Sequence, residues 1–214
     1  MTLTDRAEEI LETLWIEVVE KEKEACDISI LKDDSTITDL KDAGFVRVRD
    51  NLLSLTAKGR DEARSCIRRH RLAERLFVDV LAVRGREVHE TSCKFEHLLH
   101  KGLDENICTL LGHPRTCPHG KPIPEGPCCR EKAKMPGRVN IPLTELEKNR
   151  KARVTYLQTD NRQKLQKIIA MGALPNTEIT LLQKFPSYVF RIARSQFAVD
   201  EDLASCIYVT RDTL

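Results

Sequence analysis

The chain has 214 residues, 41% of them hydrophobic and 32% charged, which is usual for a globular protein of one large or two to three small domains. Its 35 Lys and Arg nearly balance 33 Asp and Glu, so binding to nucleic acid would need a local basic patch. There is no apolar run of about 18 residues and no basic-then-apolar leader, which predicts a cytoplasmic protein with no membrane partner. Eight cysteines are then expected to be thiols, ligands or core atoms rather than disulfides.

Residues 4–23 carry apolar side chains at helical spacing, and Thr4 or Asp5 is a plausible N-cap. The pattern predicts one amphipathic helix. Glu8, Glu9 and Glu12 lie near its start, where the helix dipole favours carboxylates without any metal.

Two short apolar runs, residues 45–49 and 52–56, flank Asp50 and Asn51. This pattern predicts two strands around a turn, as in the wing of a winged helix. The sequence LTAKGR, which follows, predicts the start of the next helix.

Residues 68–99 hold two helical patterns separated by Arg84, Gly85 and Arg86, a break short enough to fold the second helix back on the first. Polar residues with ligand-forming side chains occupy one face of each helix. In the first helix these are His70 and Glu74, and in the second they are His89, Cys93, Glu96 and His97. Imidazole, carboxylate and thiolate groups are the ligands of a divalent transition-metal site. The alternative is that apolar residues of both helices form a core, with a core cysteine and solvated His and Glu side chains.

The motifs HRLAER and VHETSCKFEH resemble the paired metal-binding helices of the DtxR (iron-dependent repressor) family of metal-sensing transcription regulators. The resemblance implies an ancillary site and a primary, regulatory site. The ancillary ligands would be His70, Glu74 and His89, and the primary ligands would be Cys93, Glu96 and His97 with Glu9, or alternatively Glu12, from the first helix. The manganese-selective branch of the family usually has a carboxylate where this chain has Cys93.

The resemblance also implies a helix-turn-helix within residues 26–44, with residues 35–43 as the recognition helix. The chain departs from the family here, because the spacing between Trp15 and Gly44 is several residues shorter and leaves little room for the first helix of the motif. Aspartates on or beside the recognition helix would also lie close to DNA phosphates. The residues expected to contact DNA are Ser35, Thr36, Thr38, Lys41, Arg47, Arg49, Lys58 and Arg60.

A third helix is expected over residues 104–111, and the loop CPHGKPIP that follows resembles the loop closing the family's dimerisation domain. Four residues of this region suggest a second metal or iron-sulfur site: Cys117, His119, Cys128 and Cys129, with Cys108 and His113 nearby. Their spacing fits no standard zinc finger, so ordinary loop and surface thiols are the simpler interpretation.

Residues 130–142 are polar, basic and contain Pro and Gly, which predicts a linker. The last segment predicts a strand at 152–156, a helix at 162–171, and strands at 178–182, 189–192, 196–199 and 207–210. Its pattern, KLQKIIAMGALPNTEITLL and then FRIARSQFAVDEDLASCIYV, is similar to the FeoA or SH3-like domain that ends many of these repressors. In the family this barrel can supply ancillary ligands, and the aligned residues here are Gln158 and Asn161.

Together these patterns predict a mainly α fold with small β parts: a winged helix-turn-helix (1–64), a helical metal-binding and dimerisation domain (65–129), a linker (130–142) and an SH3-like barrel (143–214). The expected function is a homodimeric regulator that binds double-stranded DNA at a palindromic operator in response to Fe(II), or Mn(II), with Zn(II), Co(II) and Ni(II) as substitutes in vitro. The chain contains no Gly-rich phosphate loop, and its Cys, His and Glu residues are better explained as ligands than as a nucleophile with its base, so we do not expect an enzyme. Two alternatives remain: a metal-binding module that acts through protein contacts without DNA, and a thiol or iron-sulfur redox sensor.

Overall fold

The computed structural model describes residues 3–31, 34–83, 85, 87–99, 102–134 and 140–210. Two apolar cores organise these residues. The first includes Ile10, Leu40 and Leu53 and ends at Cys66, and the second runs from Leu72 to Val209. No helix among these residues is both long enough and apolar enough to cross a lipid bilayer.

The first helix, α1 (Asp5–Leu14), begins at Thr4, whose hydroxyl oxygen accepts a hydrogen bond from the Ala7 amide as the sequence predicted. It continues as a π-helical segment, Trp15–Glu20. The buried side chains of α1 and its extension face the first core, so its glutamates lie on the other faces.

The remainder of the N-terminal unit contains one full helix and a hairpin. Strand β1 (Cys26–Asp27), the 3₁₀ turn Ile28–Ile30 and helix α2 (Asp34–Asp42) lead into β2 (Val46–Arg49) and β3 (Leu52–Leu55). The strands are antiparallel in the order β1-β3-β2. Asp50 and Asn51 both have positive φ, 46° and 62°, as a two-residue hairpin turn between right-twisted strands requires.

The first helix of the expected helix-turn-helix is not formed in the described residues 26–31. A two-residue strand and a single 3₁₀ turn occupy that position, because Cys26 and Asp27 pair with Leu53 and Leu52 of β3. The expectation of a full helix-turn-helix is therefore wrong at its first helix, whereas α2 and the hairpin were predicted correctly.

Helix α3 (Ala57–Arg75) begins at Thr56, which accepts a hydrogen bond from the Gly59 amide, and extends as the π-helical segment Leu76–Val80. It crosses the expected domain boundary at residue 64 without interruption, so both cores pack on one helix. Helix α4 (Glu87–Glu96) packs against it after the predicted break, of which Arg84 and Arg86 lie outside the described residues.

Helix α5 (Leu103–Leu110) is followed by an irregular loop and by α6 (Pro127–Lys134). The sequence had assigned the first half of α6 to a loop and the second half to a linker. The linker prediction is wrong at both ends, since residues 130–134 are helical and Asn140–Pro142 forms strand β4. Residues 135–139 of the expected linker lie outside the described residues.

The C-terminal unit is a six-stranded antiparallel sheet in the order β4-β9-β5-β6-β7-β8. Its further strands are β5 (Lys151–Leu157), β6 (Glu178–Gln183), β7 (Tyr188–Ile192), β8 (Ser195–Val199) and β9 (Ile207–Thr210). Register irregularities occur in β5 and β6, and helix α7 (Arg162–Ala170) buries Leu165 and Ile168 in the same core as the sheet. A short helix, α8 (Glu201–Ala204), was not predicted.

The sheet and the helical unit share the second core. Gly112, at the end of α5, lies so close to β5 that a Cβ atom there would be 1.9 Å from the Leu157 carbonyl oxygen. Gln166 of α7 donates a hydrogen bond to the Asp79 carbonyl oxygen at the end of α3. The helical unit and the C-terminal unit therefore pack directly against each other.

Candidate metal centre

The first group of ligand atoms joins α1 to α4. One ligand atom each from Glu9, Cys93 and His97 lies within 4.8 Å of the others. The Cys93 Sγ and Glu9 Oε1 atoms are 3.9 Å apart. The i, i+4 spacing of Cys93 and His97 places both on one face of α4, and α1 brings the carboxylate from the opposite side.

Glu96 adds a buried carboxylate to this group. It is 1% exposed; its Oε2 lies 2.8 Å from His70 Nδ1, while its Oε1 has no hydrogen-bond partner within the described part of the chain and lies 3.8 Å from His97 Nε2. A buried carboxylate without a donor or a cation would be strongly unfavourable. The Oε1 atom, which has no hydrogen-bond partner among the described residues, is available to a metal ion beside His97.

His97 is held with one ring nitrogen available. Its Nδ1 lies 2.7 Å from Glu8 Oε2, and Glu8 also contacts Arg69 through Oε1 at 2.7 Å. With Nδ1 as the donor to Glu8, the lone pair on Nε2 is left for a metal, and Nε2 has no hydrogen-bond partner among the residues described. Glu8 thus orients a ligand, a role that the sequence analysis did not assign.

The second group surrounds Glu74 on α3. Its Oε1 lies 3.3 Å from His70 Nε2, 3.6 Å from His89 Nδ1 and 3.2 Å from His119 Nδ1. His70, Glu74 and His89 form the set predicted for the ancillary site, and their ligand atoms lie within 4.8 Å of one another. His89 is exposed, so this group opens to solvent.

The loop after α5 adds ligands to the second group. Cys117 and His119 lie together with Glu74, also within 4.8 Å. The loop is a tight turn, in which the Cys117 amide donates to the Lys121 carbonyl oxygen and the Gly120 amide donates to that of Cys117. The loop therefore presents its imidazole and thiol to the carboxylate of α3.

His70 links the two groups. Its Nδ1 is 2.8 Å from Glu96 Oε2 and 3.6 Å from Glu12 Oε1. Burial acts to lower the pKa of His70, but hydrogen bonds with Glu74 and Glu96 outweigh it and raise that pKa to about 10. In the absence of metal the imidazolium thus supplies the positive charge at the centre of these carboxylates.

The acidic groups respond to the same environment. Burial raises the pKa of Glu12 to about 7, and the nearby Glu96 carboxylate adds to the effect. Burial opposes ionisation of Glu74, but its contacts with His70 prevail and lower its pKa to about 2. Burial and the neighbouring Glu96 and Glu9 raise the pKa of Cys93 to about 11, so its thiolate forms at neutral pH only beside a cation.

The structure divides the four residues that the sequence had grouped as a second metal or iron-sulfur site. Cys117 and His119 lie beside Glu74, whereas Cys128 and Cys129 on α6 lie beside Cys108 and His113. The predicted grouping is wrong because the loop between the two pairs folds back to α3 before α6 begins.

The barrel residues expected as ligands have other contacts. Asn161 caps α7, where its Oδ1 accepts hydrogen bonds from the Gln163 and Lys164 amides. The backbone amide of Gln158 donates to the Cys206 carbonyl oxygen. The loop after α5 supplies additional side chains near Glu74, namely Cys117 and His119.

The residues expected to contact DNA lie in the N-terminal unit. Ser35, Thr38 and Lys41 on α2 are exposed and Thr36 is half-buried; Arg47 and Arg49 on β2 and Arg60 on α3 are exposed. Lys58 differs, because its Nζ donates to the Ala43 carbonyl oxygen at 2.8 Å and lies 4.1 Å from the centre of the Phe45 ring. Its contacts join α2 to α3.

Comparison with known proteins identifies two families in the chain. A family model described as "Iron dependent repressor, metal binding and dimerisation domain" matches residues 56–125, and one described as "FeoA domain" matches residues 141–211. The Mycobacterium leprae iron-dependent repressor IdeR is 33% identical over 159 residues, which are 68% of this chain and 67% of that protein. The diphtheria toxin repressor of Corynebacterium glutamicum is 29% identical over 186 residues, 82% of this chain and 80% of the relative. The solved structure of T. acidophilum IdeR is 19% identical, with a TM-score of 0.47 over 99% of this chain and 100% of that one.

Proposed function

This chain belongs to the DtxR (iron-dependent repressor) family, and from that membership we propose that it is a metal-dependent transcriptional regulator that binds DNA. The relatives named above are repressors, one of them named as iron-dependent, which supports a regulatory rather than an enzymatic role. The proposal concerns the metal, the DNA contacts and the coupling between them.

The observation that carries the proposal is the group formed by Glu9, Cys93 and His97 together with the buried carboxylate of Glu96, whose Oε1 has no hydrogen-bond partner among the described residues. Glu9 lies on α1, which packs in the N-terminal core, whereas Cys93 and Glu96 lie on α4 and His97 directly follows it. An ion held by all four would tie the N-terminal unit to the helical unit. Its binding would favour one arrangement of the two, by a differential free energy of a few kcal/mol.

We propose Fe(II) as the physiological ion and Mn(II) as the alternative. The thiol of Cys93 is a softer ligand than a carboxylate and favours iron over manganese. Zn(II), Co(II) and Ni(II) bind such nitrogen, oxygen and sulfur ligands at least as tightly, so they are expected to replace Fe(II) in vitro.

The DNA contacts are assigned to α2 and the β2–β3 hairpin. Arg47 and Arg49 alternate with buried or half-buried residues on β2 and both face solvent, which suits phosphate contacts. Ser35, Thr38 and Lys41 lie on the exposed face of α2 and are expected to reach base edges or sugars. Because phosphate contacts release counterions, the affinity should fall steeply with salt.

The test is a titration of DNA affinity with metal under anaerobic conditions, using the duplex upstream of the protein's own gene and a shuffled duplex of equal length. Wild-type protein should bind the first duplex at least about tenfold more tightly with saturating Fe(II) than without, which corresponds to about 1.4 kcal/mol of coupling. Glu9→Ala should keep the ligands of α4 and still bind metal, yet lose most of that gain. Glu24→Ala removes an exposed carboxylate outside the ligand groups and should behave as wild type.

Equal affinity for both duplexes at saturating Fe(II) or Mn(II) would contradict the proposal. The shortened segment before α2 would then favour the alternative function, a metal-binding module that acts through contacts with another protein.

A further inference from the structure

A further cluster of ligand atoms, separate from the first and second groups, lies where α6 packs against the end of α5. It contains the thiols of Cys108, Cys128 and Cys129 and the imidazole of His113, with one ligand atom of each within 4.8 Å of the others. Cys108 is fully buried and the other three are half-buried. All three cysteines are free thiols.

The distances in this cluster match the edges of a coordination tetrahedron. Cys108 Sγ lies 3.6 Å from Cys129 Sγ and 3.6 Å from His113 Nδ1, and the Sγ atoms of Cys128 and Cys129 are 3.9 Å apart. With Zn–S near 2.3 Å and Zn–N near 2.0 Å, a regular tetrahedron has S···S edges of about 3.8 Å and S···N edges of about 3.5 Å. Three sulfurs and one nitrogen are a usual ligand set for structural zinc.

We propose that Cys108, His113, Cys128 and Cys129 bind one tetrahedral Zn(II) ion that fastens α6 to the end of α5. This site is separate from the sensing groups on α1, α3 and α4 and does not depend on the proposed regulatory function.

A buried cation lies beside the cluster and suits its charge. Three thiolates, one neutral imidazole and Zn(II) carry a net charge of −1. The Arg68 guanidinium, 5% exposed, lies 3.3 Å from Cys128 Sγ and 4.0 Å from Cys129 Sγ, and it also contacts Asp104 at 3.1 Å. Gly126 makes room for it, since a Cβ atom there would lie 2.7 Å from the guanidinium carbon. A cation that contacts the ligand sulfurs from outside the coordination sphere, as Arg68 does here, stabilises them as thiolates.

The thiols of Cys108 and Cys129 are coupled. The hydrogen bond between them lowers the pKa of Cys129 to about 3 and, together with burial, raises the pKa of Cys108, while burial raises the pKa of Cys128. The first turn of a helix, where Cys128 and Cys129 lie, also favours thiolates.

The backbone holds His113 towards the thiols. His113 has a φ of +61°, directly after Gly112 at +75°, so two consecutive residues adopt the left-handed conformation. This conformation costs a non-glycine residue about 1 kcal/mol, and it persists where surrounding contacts enforce it. Here the His113 amide donates to the Cys108 carbonyl oxygen at 2.8 Å, which keeps the imidazole beside the sulfur.

The proposed ion would also stabilise the loop that carries two ligands of the second group. Cys117 and His119 lie between His113 and Cys128 in the chain. An ion that joins α5 to α6 would close this loop. The loop would then have fewer accessible conformations to lose when the second group binds metal. An eight-residue helix such as α6 is marginal in isolation and needs such an anchor.

The distances between the sulfur atoms distinguish a Zn(II) site from a disulfide bond and from an iron-sulfur cluster. Sulfur atoms 3.6–3.9 Å apart are well beyond the 2.05 Å of a disulfide bond. An iron-sulfur cluster places several irons and sulfides between its cysteines and would hold at least some of them further apart than one ion does.

The test uses the full chain, purified under reducing conditions and dialysed against a weak chelator. The Cys93→Ala variant, which lacks the thiol of the first group, should retain one Zn(II) per chain by elemental analysis. Replacing that ion by Co(II) should give the intense visible bands of a tetrahedral cobalt-thiolate site. Retention of no zinc by wild type and Cys93→Ala alike, or weak octahedral cobalt bands, would overturn the proposal.

Ligand variants locate the ion. Cys128→Ser with Cys129→Ser should lose the retained zinc and the cobalt-thiolate bands, whereas the buried Cys206→Ser, which lies in the C-terminal sheet unit, should keep both. A circular dichroism spectrum of the double variant that matches the wild-type spectrum would show that the variant folds. If the double variant does not fold, the cobalt spectrum of Cys93→Ala combined with Cys117→Ser, which lacks the thiols of the first and second groups, still decides. Retained zinc in a folded double variant, acid-labile sulfide in anaerobically purified protein, or a Cys108–Cys129 disulfide in the reduced protein would each contradict the assignment.

Discussion

At the scale of single residues, three glutamates on α1 meet three different partners across the metal-binding centre. Glu8 contacts His97, Glu9 lies 3.9 Å from the thiol of Cys93, and Glu12 lies 3.6 Å from His70. The helix dipole explains why carboxylates are tolerated near the start of α1. It does not explain why each of them points at a residue that can bind metal.

We predict that Glu12 destabilises the metal-free protein at neutral and alkaline pH. Burial raises its pKa from 4.5 to about 7, so the folded state keeps a proton that the unfolded state releases between these values. Stability is therefore full below about pH 4.5 and falls as pH rises to about 7, by up to about 3 kcal/mol. Glu12→Gln should remove this loss.

The measurement is urea unfolding of chelator-treated protein at pH 5 and pH 8. Glu12→Gln should exceed wild type in free energy of unfolding at pH 8 and approach it at pH 5, while the exposed Glu24→Gln should follow wild type at both. A pH-independent difference between Glu12→Gln and wild type would show that packing, not ionisation, causes the effect.

At the scale of elements, α3 connects the N-terminal unit to the metal centre. Its first turn lies against Phe45, just before the hairpin, and its later turns carry His70 and Glu74. Gly59 permits this close approach, since a Cβ atom there would lie 1.8 Å from the Phe45 carbonyl oxygen.

We predict that Gly59→Ala destabilises the N-terminal unit by about 2–3 kcal/mol, because backbone must move to accommodate the methyl group. The ligands lie further along α3, so metal affinity measured by titration should change little. Asp61→Ala, at an exposed position of the same helix, is the matched control and should unfold as wild type does. An unchanged unfolding midpoint for Gly59→Ala would show that α3 does not press on the Phe45 backbone.

The elements also show what the sequence can and cannot predict. Apolar spacing and caps indicated α1, α3, α4 and the strands β5 to β9, and one-helix spacing placed His89, Cys93 and His97 on one face. Strand β4 was not predicted, because it lies in the expected linker. The regrouping of Cys117 and His119 with Glu74, and of Cys128 with Cys108, depends on where a loop rich in Pro and Gly returns to α3. No local pattern specifies that path. The sequence patterns also did not predict helix α6. Its first residues, Pro127 and the Cys-Cys pair, directly follow the loop and were assigned to it.

At the scale of the whole molecule, the chain itself covers part of the apolar surface of α4, of α5 and of the turns that follow them. Leu99, Ile107 and Leu111 are buried. Leu98 remains 64% exposed and Leu103, at the start of α5, is 45% exposed. These two leucines are therefore the best candidates for contact with a second copy, in a region that the dimerisation-domain family covers.

We predict that Leu98→Glu gives a monomer in light scattering at micromolar concentration with metal present, whereas wild type is a dimer. Two buried carboxylates would face each other near a two-fold axis, and each would lack a partner. Phe185→Glu, on an 87% exposed side chain of the C-terminal unit, should stay dimeric. Because an operator with two half-sites needs two recognition helices at a fixed spacing, the monomer should keep its metal affinity but lose most of its DNA affinity. A dimeric Leu98→Glu protein would place the interface elsewhere, and a monomeric one with wild-type DNA affinity would show that recognition does not need the second subunit.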